Sequence, residues 1–205
     1  MEQSHLWAAP PLPFREAEIL RYAGLPARAE LPEGLPLQAC LAEAEQVIRC
    51  RGVWREYAVA AAGDALDLGF ARLESRSLSR FLRDCGGVIL FAVTAGWESE
   101  RFVARCQLRS PLQGLLAHAI GAERVESACD ALCAELSRLY PGRVTRQRFS
   151  PGYGDVPLAL QREIFAALKC ERHLGLTLRE NCLMSPARSV TALVGLRSPE
   201  GGNPA

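Results

Sequence analysis

The chain has 205 residues, 49% of them hydrophobic and 23% charged, with 24 Lys and Arg against 23 Asp and Glu for a net charge of +1. That composition excludes a disordered, collagen-like or coiled-coil chain, and the length suits one large domain or two intimate lobes that bury a core unaided. Near-neutral charge with no basic stripe argues against nucleic acid as a main partner. The longest apolar stretch, 86–96, falls well short of the ~20 residues that cross a bilayer, so no membrane span is expected. Glu2, Pro10, Pro11 and Pro13 are incompatible with a signal peptide, and a cytoplasmic protein is the expectation.

Residues 1–35 read as a Pro-rich arm with one short helix, Arg15 to Tyr22, ended by Gly24. Pro36 opens a helix whose apolar residues Leu37, Cys40, Leu41, Ala44, Val47 and Ile48 recur at helical spacing, and Gly52 ends it. Val53 to Val59 and Ala65 to Phe70 are β-prone on either side of Gly63-Asp64, which predicts a hairpin. Ser77 is placed to N-cap a short helix running to Asp84. Val88 to Val93 is continuously apolar, as expected of a central strand covered on both faces.

A helical segment rich in both charges follows Gly96, and Ser110-Pro111 then caps and opens a long helix. Its stripe from Leu112 to Leu139 stays in phase up to Tyr140, with Gly121 as a possible break. Thr145 to Phe149 is a short extended segment. Asp155 is placed to N-cap a helix from about Val156 to His173, with Pro157 in its first turn and Gly175 at its end. Ser189 to Val194 is strongly β-prone, and 198–205 is a polar tail. Helices and strands mix without a βαβ rhythm, so the expected class is α+β: one domain over 36–197, a twisted, largely antiparallel sheet with flanking helices.

Chemistry is sparse. The eight cysteines, at 40, 50, 85, 106, 129, 133, 170 and 182, mostly occupy apolar positions of periodic segments. They form no CxxC, and no second ligand pair accompanies Cys129 and Cys133, so no metal site is expected. His5, His118 and His173 lie far apart, and no serine sits in a GxSxG elbow, so a hydrolase triad is unsupported.

The densest unusual segment is RFSPGYGD, Arg148 to Asp155. Its glycines let backbone approach a ligand, a following helix start offers unpaired N–H groups, and Arg148 presents a planar fork to a carboxylate or phosphate. Tyr153 adds a flat face with a polar tip. A plain Pro-Gly turn capped by Asp155 accounts for the same residues, and both readings stand. Arg188, in the PARS segment, is either a second anion contact or a solvated loop arginine.

The stretches EILRYAG (18–24), LFAVTAG (90–96), RFSPGYGD with Val156-Pro157-Leu158, and Pro186 to Gly195 follow one another in an order that resembles the activation domain of cobalamin-dependent methionine synthase, in its stand-alone form. The resemblance implies a module that binds S-adenosylmethionine and presents its methyl group to cobalamin carried by a methionine synthase chain. There it rescues oxidised cofactor with one electron from a flavodoxin-type donor. The family's RxxPGY pattern falls on Arg148, Pro151, Gly152 and Tyr153. Arg148 then holds the methionyl carboxylate, Ser150 to Gly152 line the ligand, Tyr153 faces the corrin, and Asp155 stands near the ammonium group. The family's last-strand contacts fall on Val194 and Gly195, where full-length synthases carry aromatic residues that are missing here. That departure motivates an alternative: a non-catalytic docking protein for a corrinoid methyltransferase that no longer binds S-adenosylmethionine.

Overall fold

A run apolar at every position has to be covered on both faces, and that requirement organises the chain. In the computed structural model, which describes residues 4–25, 34–145 and 147–198, the run lies within strand β6 (Cys85–Thr94). It pairs antiparallel with β2 (Arg51–Ala58) on one edge and β9 (Ser189–Arg197) on the other. Strand β1 (His5–Ala8) completes a four-stranded sheet of order β1-β2-β6-β9, antiparallel throughout. The fold is α+β, as expected. Strand β1 lies inside the Pro-rich arm and carried no clear sequence signal.

Alternate residues of β6 serve two layers. Ile89, Phe91 and Val93 join Trp7, Trp54, Ala192, Val194 and Leu196 beneath the helix α5 (Pro111–Leu139), through Val125, Cys129, Leu132 and Leu136. Val88, Leu90 and Ala92 face the other way, onto α3 (Arg76–Phe81), α6 (Gln161–Leu168) and α7 (Cys170–Leu174). A third cluster joins α5 to α1 (Glu16–Tyr22), α2 (Leu37–Val47) and α4 (Gly96–Arg109). Fully burying each such side chain stabilises by about 1.5–3 kcal/mol. None of the described helices is long and apolar enough to cross a membrane.

Several boundaries differ from the sequence reading for identifiable reasons. The predicted hairpin does turn at Gly63-Asp64, but its arms are β3 (Ala60–Ala62) and β4 (Ala65–Asp67), extended by β5 (Arg72–Glu74) into a small separate sheet. Residues 51–58 are drawn instead into the main sheet, and Gly52 sits within β2 rather than ending α2. Ser75, not Ser77, caps α3, accepting from the Leu78 N–H at 3.1 Å. Gly121 does not break α5. Of the predicted tail, residues 199–205 lie outside the described residues.

The helix expected over 156–173 forms in pieces. Val156 precedes a proline, which disfavours helical backbone, and Pro157 is itself extended (ψ 142°). A 3₁₀ turn at Leu158–Leu160 leads into α6, and Lys169, with φ 51°, separates α6 from α7. The break resets the apolar phase. An uninterrupted helix would follow buried Leu168 with Glu171 or Arg172, whereas the left-handed residue turns Cys170 and Leu174 inward. A two-stranded ribbon, β7 (Thr177–Leu178) and β8 (Met184–Ser185), precedes β9.

The N-terminal arm is held by charge as well as packing. The Glu123 carboxylate, fully buried on α5, accepts from Arg124 at 2.6 and 2.7 Å, from Ser127 Oγ, and from Arg15 through both its backbone N–H at 3.3 Å and its Nε at 3.4 Å. Arg124 also donates to the Leu12 and Pro13 carbonyls at 2.8 and 2.9 Å. Trp7 Nε1 reaches Glu135 at 2.6 Å. Burial by itself would raise the Glu123 carboxyl, but the hydrogen bonds from Arg124 and Ser127 outweigh it and hold the group below its ordinary value.

Replacing Glu123 with Ala leaves Arg124 buried and uncompensated, so urea unfolding at neutral pH should show a loss of about 3–5 kcal/mol. The unfolded carboxyl titrates near ~4.3 and the folded one lower. Stability from Glu123 is therefore complete above that pH and declines as acid protonates the folded group, and the gap between wild type and variant should narrow in the same window.

Candidate functional site

The segment from Arg143 to Phe149 runs along the outer edge of β9. Bridges pair Val144 with Leu196 and Phe149 with Leu193, and Thr145 exchanges hydrogen bonds with both the N–H and the carbonyl of Gly195 at 2.9 Å. Arg146 lies outside the described residues. Phe149 turns onto Phe81 of the α3 layer, with ring centroids 5.4 Å apart, and Arg148 turns to the α5 layer. The turn Ser150 to Gly154 thus projects from the sheet edge, anchored by buried Pro151 and ending in exposed residues.

Arg148 meets two carboxylates. Its Nη2 lies 2.9 Å from Glu126 and 3.2 Å from Asp130, one helical turn apart on α5. Nη1 is buried and makes no hydrogen bond among the described residues. Asp130 also binds Arg15 at 2.9 Å, so the turn and the N-terminal arm share one carboxylate. Arg15, Arg124 and Arg148 thus face Glu123, Glu126 and Asp130, three positive against three negative groups. The thiols beneath are inert: burial pushes Cys133 up to about 11 and Cys129 well above its ordinary value. All eight cysteines are free, and the described residues contain no group of three His, Cys, Asp or Glu able to hold a metal ion.

The rest of the turn is largely self-satisfied. Gly152 N–H donates to the Val156 carbonyl at 3.0 Å and Tyr153 N–H to the Ser150 carbonyl at 3.2 Å, so neither is free for a ligand. Tyr153 is 68% exposed. Gly154 needs its hydrogen side chain, since φ is +58° and a Cβ there would overlap Ser77.

Asp155 does not cap the helix that follows. Its carboxylate reaches back to the start of α3, accepting from Ser75 Oγ at 2.5 Å, Arg76 N at 2.8 Å and Ser77 N at 3.1 Å. The Ser75 hydroxyl, followed by the two backbone donors, holds it well below the usual carboxylate range. With its oxygens committed to α3, it is not placed to meet a ligand's ammonium group.

The other expected contacts are not assembled with Arg148. Val194 is 1% exposed against α5. Gly195 is roofed by the 143–149 segment, where a Cβ would stand 2.6 Å from Cys85 Sγ and 2.8 Å from Thr145 Cγ2, so the aromatic rings missing from these positions have no room here. Arg188 stands five residues before Leu193, about 17 Å along the strand at ~3.4 Å per residue. It donates to both oxygens of Glu100, at 3.0 and 2.9 Å, and to His118 Nδ1. Sequence reasoning missed Glu126 and Asp130, although their i, i+4 spacing on a helix was a visible sign of two carboxylates on one face.

The solved structure of the MetH reactivation domain bound to AdoHcy has the same fold. It superposes with a TM-score of 0.65 over 99% of this chain and 81% of that one, at 17% sequence identity. Likeness at that identity establishes architecture. By sequence, no protein-family profile and no curated protein matches the chain.

Two clefts lie elsewhere, one of about 470 Å³ between the Pro-rich arm and α2 and one of about 730 Å³ between α6, α7 and β7.

Replacing Asp155 with Asn removes the anion at α3, and the melting temperature at neutral pH should fall. Because the folded carboxyl titrates below its unfolded value of ~3.9, its contribution is present above that pH and lost in acid. The variant should therefore converge on wild type as pH drops below ~4; an equal deficit at every pH would mean that the charge is immaterial.

Proposed function

We propose that this chain is an accessory subunit for reductive reactivation of a cobalamin-dependent methionine synthase, binding S-adenosylmethionine at the Arg148 turn and presenting its methyl group to the corrin on the partner. The observation that carries the reading is Arg148 itself: a half-buried guanidinium flanked by two carboxylates, with Nη1 unpaired among the described residues, on the fold of a solved domain that is bound to AdoHcy.

The electrostatics suit an amino-acid end. A lone anion would unbalance a cluster already at three against three, whereas a zwitterion keeps the balance. Arg148, released from Glu126 or Asp130, turns its guanidinium to the α-carboxylate, and the freed carboxylate takes the α-ammonium. Exposed Tyr153 borders the open side, where a corrin ring can approach. When bound, S-adenosylmethionine supplies a methyl group on a sulfonium leaving group and reduced cobalamin supplies the nucleophile, so this chain has to position rather than donate or accept a proton. Proximity and orientation of that kind are worth ~7–11 kcal/mol of barrier. The electron comes from a flavodoxin-type donor that need not touch this chain.

The second reading, a docking protein that has lost the ligand, is favoured by the packing of Val194 against α5, by the roofed Gly195 and by the spent Gly152 and Tyr153 amides. Calorimetry separates the two. S-adenosylmethionine should release heat with wild type, and Arg148→Ala should weaken binding at least ~30-fold, from the ~2 kcal/mol or more that a buried charge-assisted contact is worth. Methylcobalamin should form when the chain is added to a synthase lacking its own activation module, with cob(II)alamin, reductant and S-adenosylmethionine. Synthase binding with no ligand heat would select the docking reading.

A further inference from the structure

Helix α5 carries two glycines, Gly114 and Gly121, although glycine lowers helix stability. They stand four residues before and three after His118, one turn to either side of it on the same face. At Gly114 a Cβ would stand 2.6 Å from Gln107 Cγ, and at Gly121 one would stand 3.1 Å from Arg188 Nε. The two missing side chains therefore let Gln107 and Arg188 lie across α5 and bracket the His118 ring. Its Nε2 is 2.9 Å from the Gln107 amide, and its Nδ1 meets Arg188 Nη2.

A guanidinium does not give up its proton in a folded protein, so the Arg188 contact fixes the state of His118. Nδ1 has to offer a lone pair, which makes the ring neutral with its proton on Nε2, and Gln107 turns its amide oxygen to that proton. We propose that this arrangement is a proton-operated latch: neutral His118 accepts from Arg188 and locks the turn at 186–189 onto α4 and α5, and a proton taken from solvent at Nδ1 replaces the acceptor by a donor and frees Arg188. What is locked is the entry to β9. The Arg188 side chain, only 12% exposed, also binds Glu100 on α4, and the Ala187 N–H donates to the same carboxylate at 3.0 Å. The Arg188 carbonyl accepts from the Ala95 N–H at 2.9 Å, where α4 begins. His118 is exposed, so a proton reaches it without any opening of the fold.

The charged groups facing the ring are Arg188 from the turn and Glu100 from α4; along α5, residues 114–122 carry no other titratable side chain. Partial burial, and after it the Arg188 charge, hold His118 below its ordinary value of 6.5, against the opposing pull of Glu100. Above that pH the folded and unfolded rings are both neutral and the latch contributes in full. As pH falls below it the unfolded ring takes its proton first, so stability is lost down to the lower folded midpoint.

Nitrogen-15 NMR of the imidazole groups tests this, with the His118 signals identified by their loss in His118→Gln. At about pH 7.5 Nδ1 should be bare and Nε2 protonated. Arg188→Gln should raise the His118 midpoint, because it removes the facing cation, a shift that a histidine with a merely structural role would not show. In wild type, hydrogen-exchange protection of the Ala187 and Ala95 amides should fall at least about 10-fold between about pH 7.5 and 5. In His118→Gln, whose amide oxygen accepts from Arg188 without titrating, the same protection should change less than about 2-fold. A proton on Nδ1 at the higher pH, a midpoint unmoved by Arg188→Gln, or equal loss of protection in His118→Gln would each overturn the latch. Should Arg188→Gln fail to fold, the tautomer and the His118→Gln comparison still decide.

Discussion

Strand β6 has no polar face and no free edge, and the rest of the fold answers that constraint. Two strands must pair with it, and two layers must cover it. On one side a single 29-residue helix, α5, spans the sheet; on the other the task is divided among α3, α6 and α7. The asymmetry has a consequence. A long helix crossing four strands offers one continuous polar margin, and whatever lies along the sheet's outer edges can be fastened to it.

Both ends of the chain use that margin. From the N-terminal side come Trp7, Arg15 and the carbonyls of Leu12 and Pro13; from the C-terminal side comes Arg148. Asp130 sits between Arg15 and Arg148 and binds both. Pairs that share a partner in this way are energetically coupled, so displacement of Arg148 from Asp130 is felt by the arm. Burying Glu123 is tolerable only because each of its oxygens is hydrogen-bonded and Arg124 lies beside it.

The parts of this architecture legible in the sequence are those fixed by local physics. Continuous apolarity marked β6, Ser110-Pro111 marked the start of α5, Gly24 marked the end of α1, and a helical stripe marked α2. What escaped was set by distant partners. Four residues, HLWA, become a strand because the β2 edge is available, not through any intrinsic preference strong enough to read. Asp155 looked like the cap of its own helix, because Asp before a helical pattern usually is one, but Pro157 delays that helix and α3 supplies nearer donors. At the site, the RFSPGYGD segment pointed to Arg148 but not to its surroundings. Glu126 and Asp130 are 22 and 18 residues away in sequence, and the roofing of Gly195 by Thr145 depends on strand pairing that no spacing encodes.

That roofing bears on how the site has to work. A pocket floored by the last strand would hold its ligand by contact along β9, yet the edge of β9 is occupied by 143–149 and its α5-facing side is packed. On the proposed reading, recognition is left to the rim, where charged side chains can exchange partners without repacking the core: Arg148 Nη2 is shared between two carboxylates, and Glu126 is partly exposed. A rim site of this kind reads the charge pattern of a ligand's polar end closely and the shape of its remainder poorly. On the proposed reading, specificity for the rest of the molecule has to come from whatever closes over the turn, so an apposed corrin-bearing surface would complete the binding site as well as receive the methyl group.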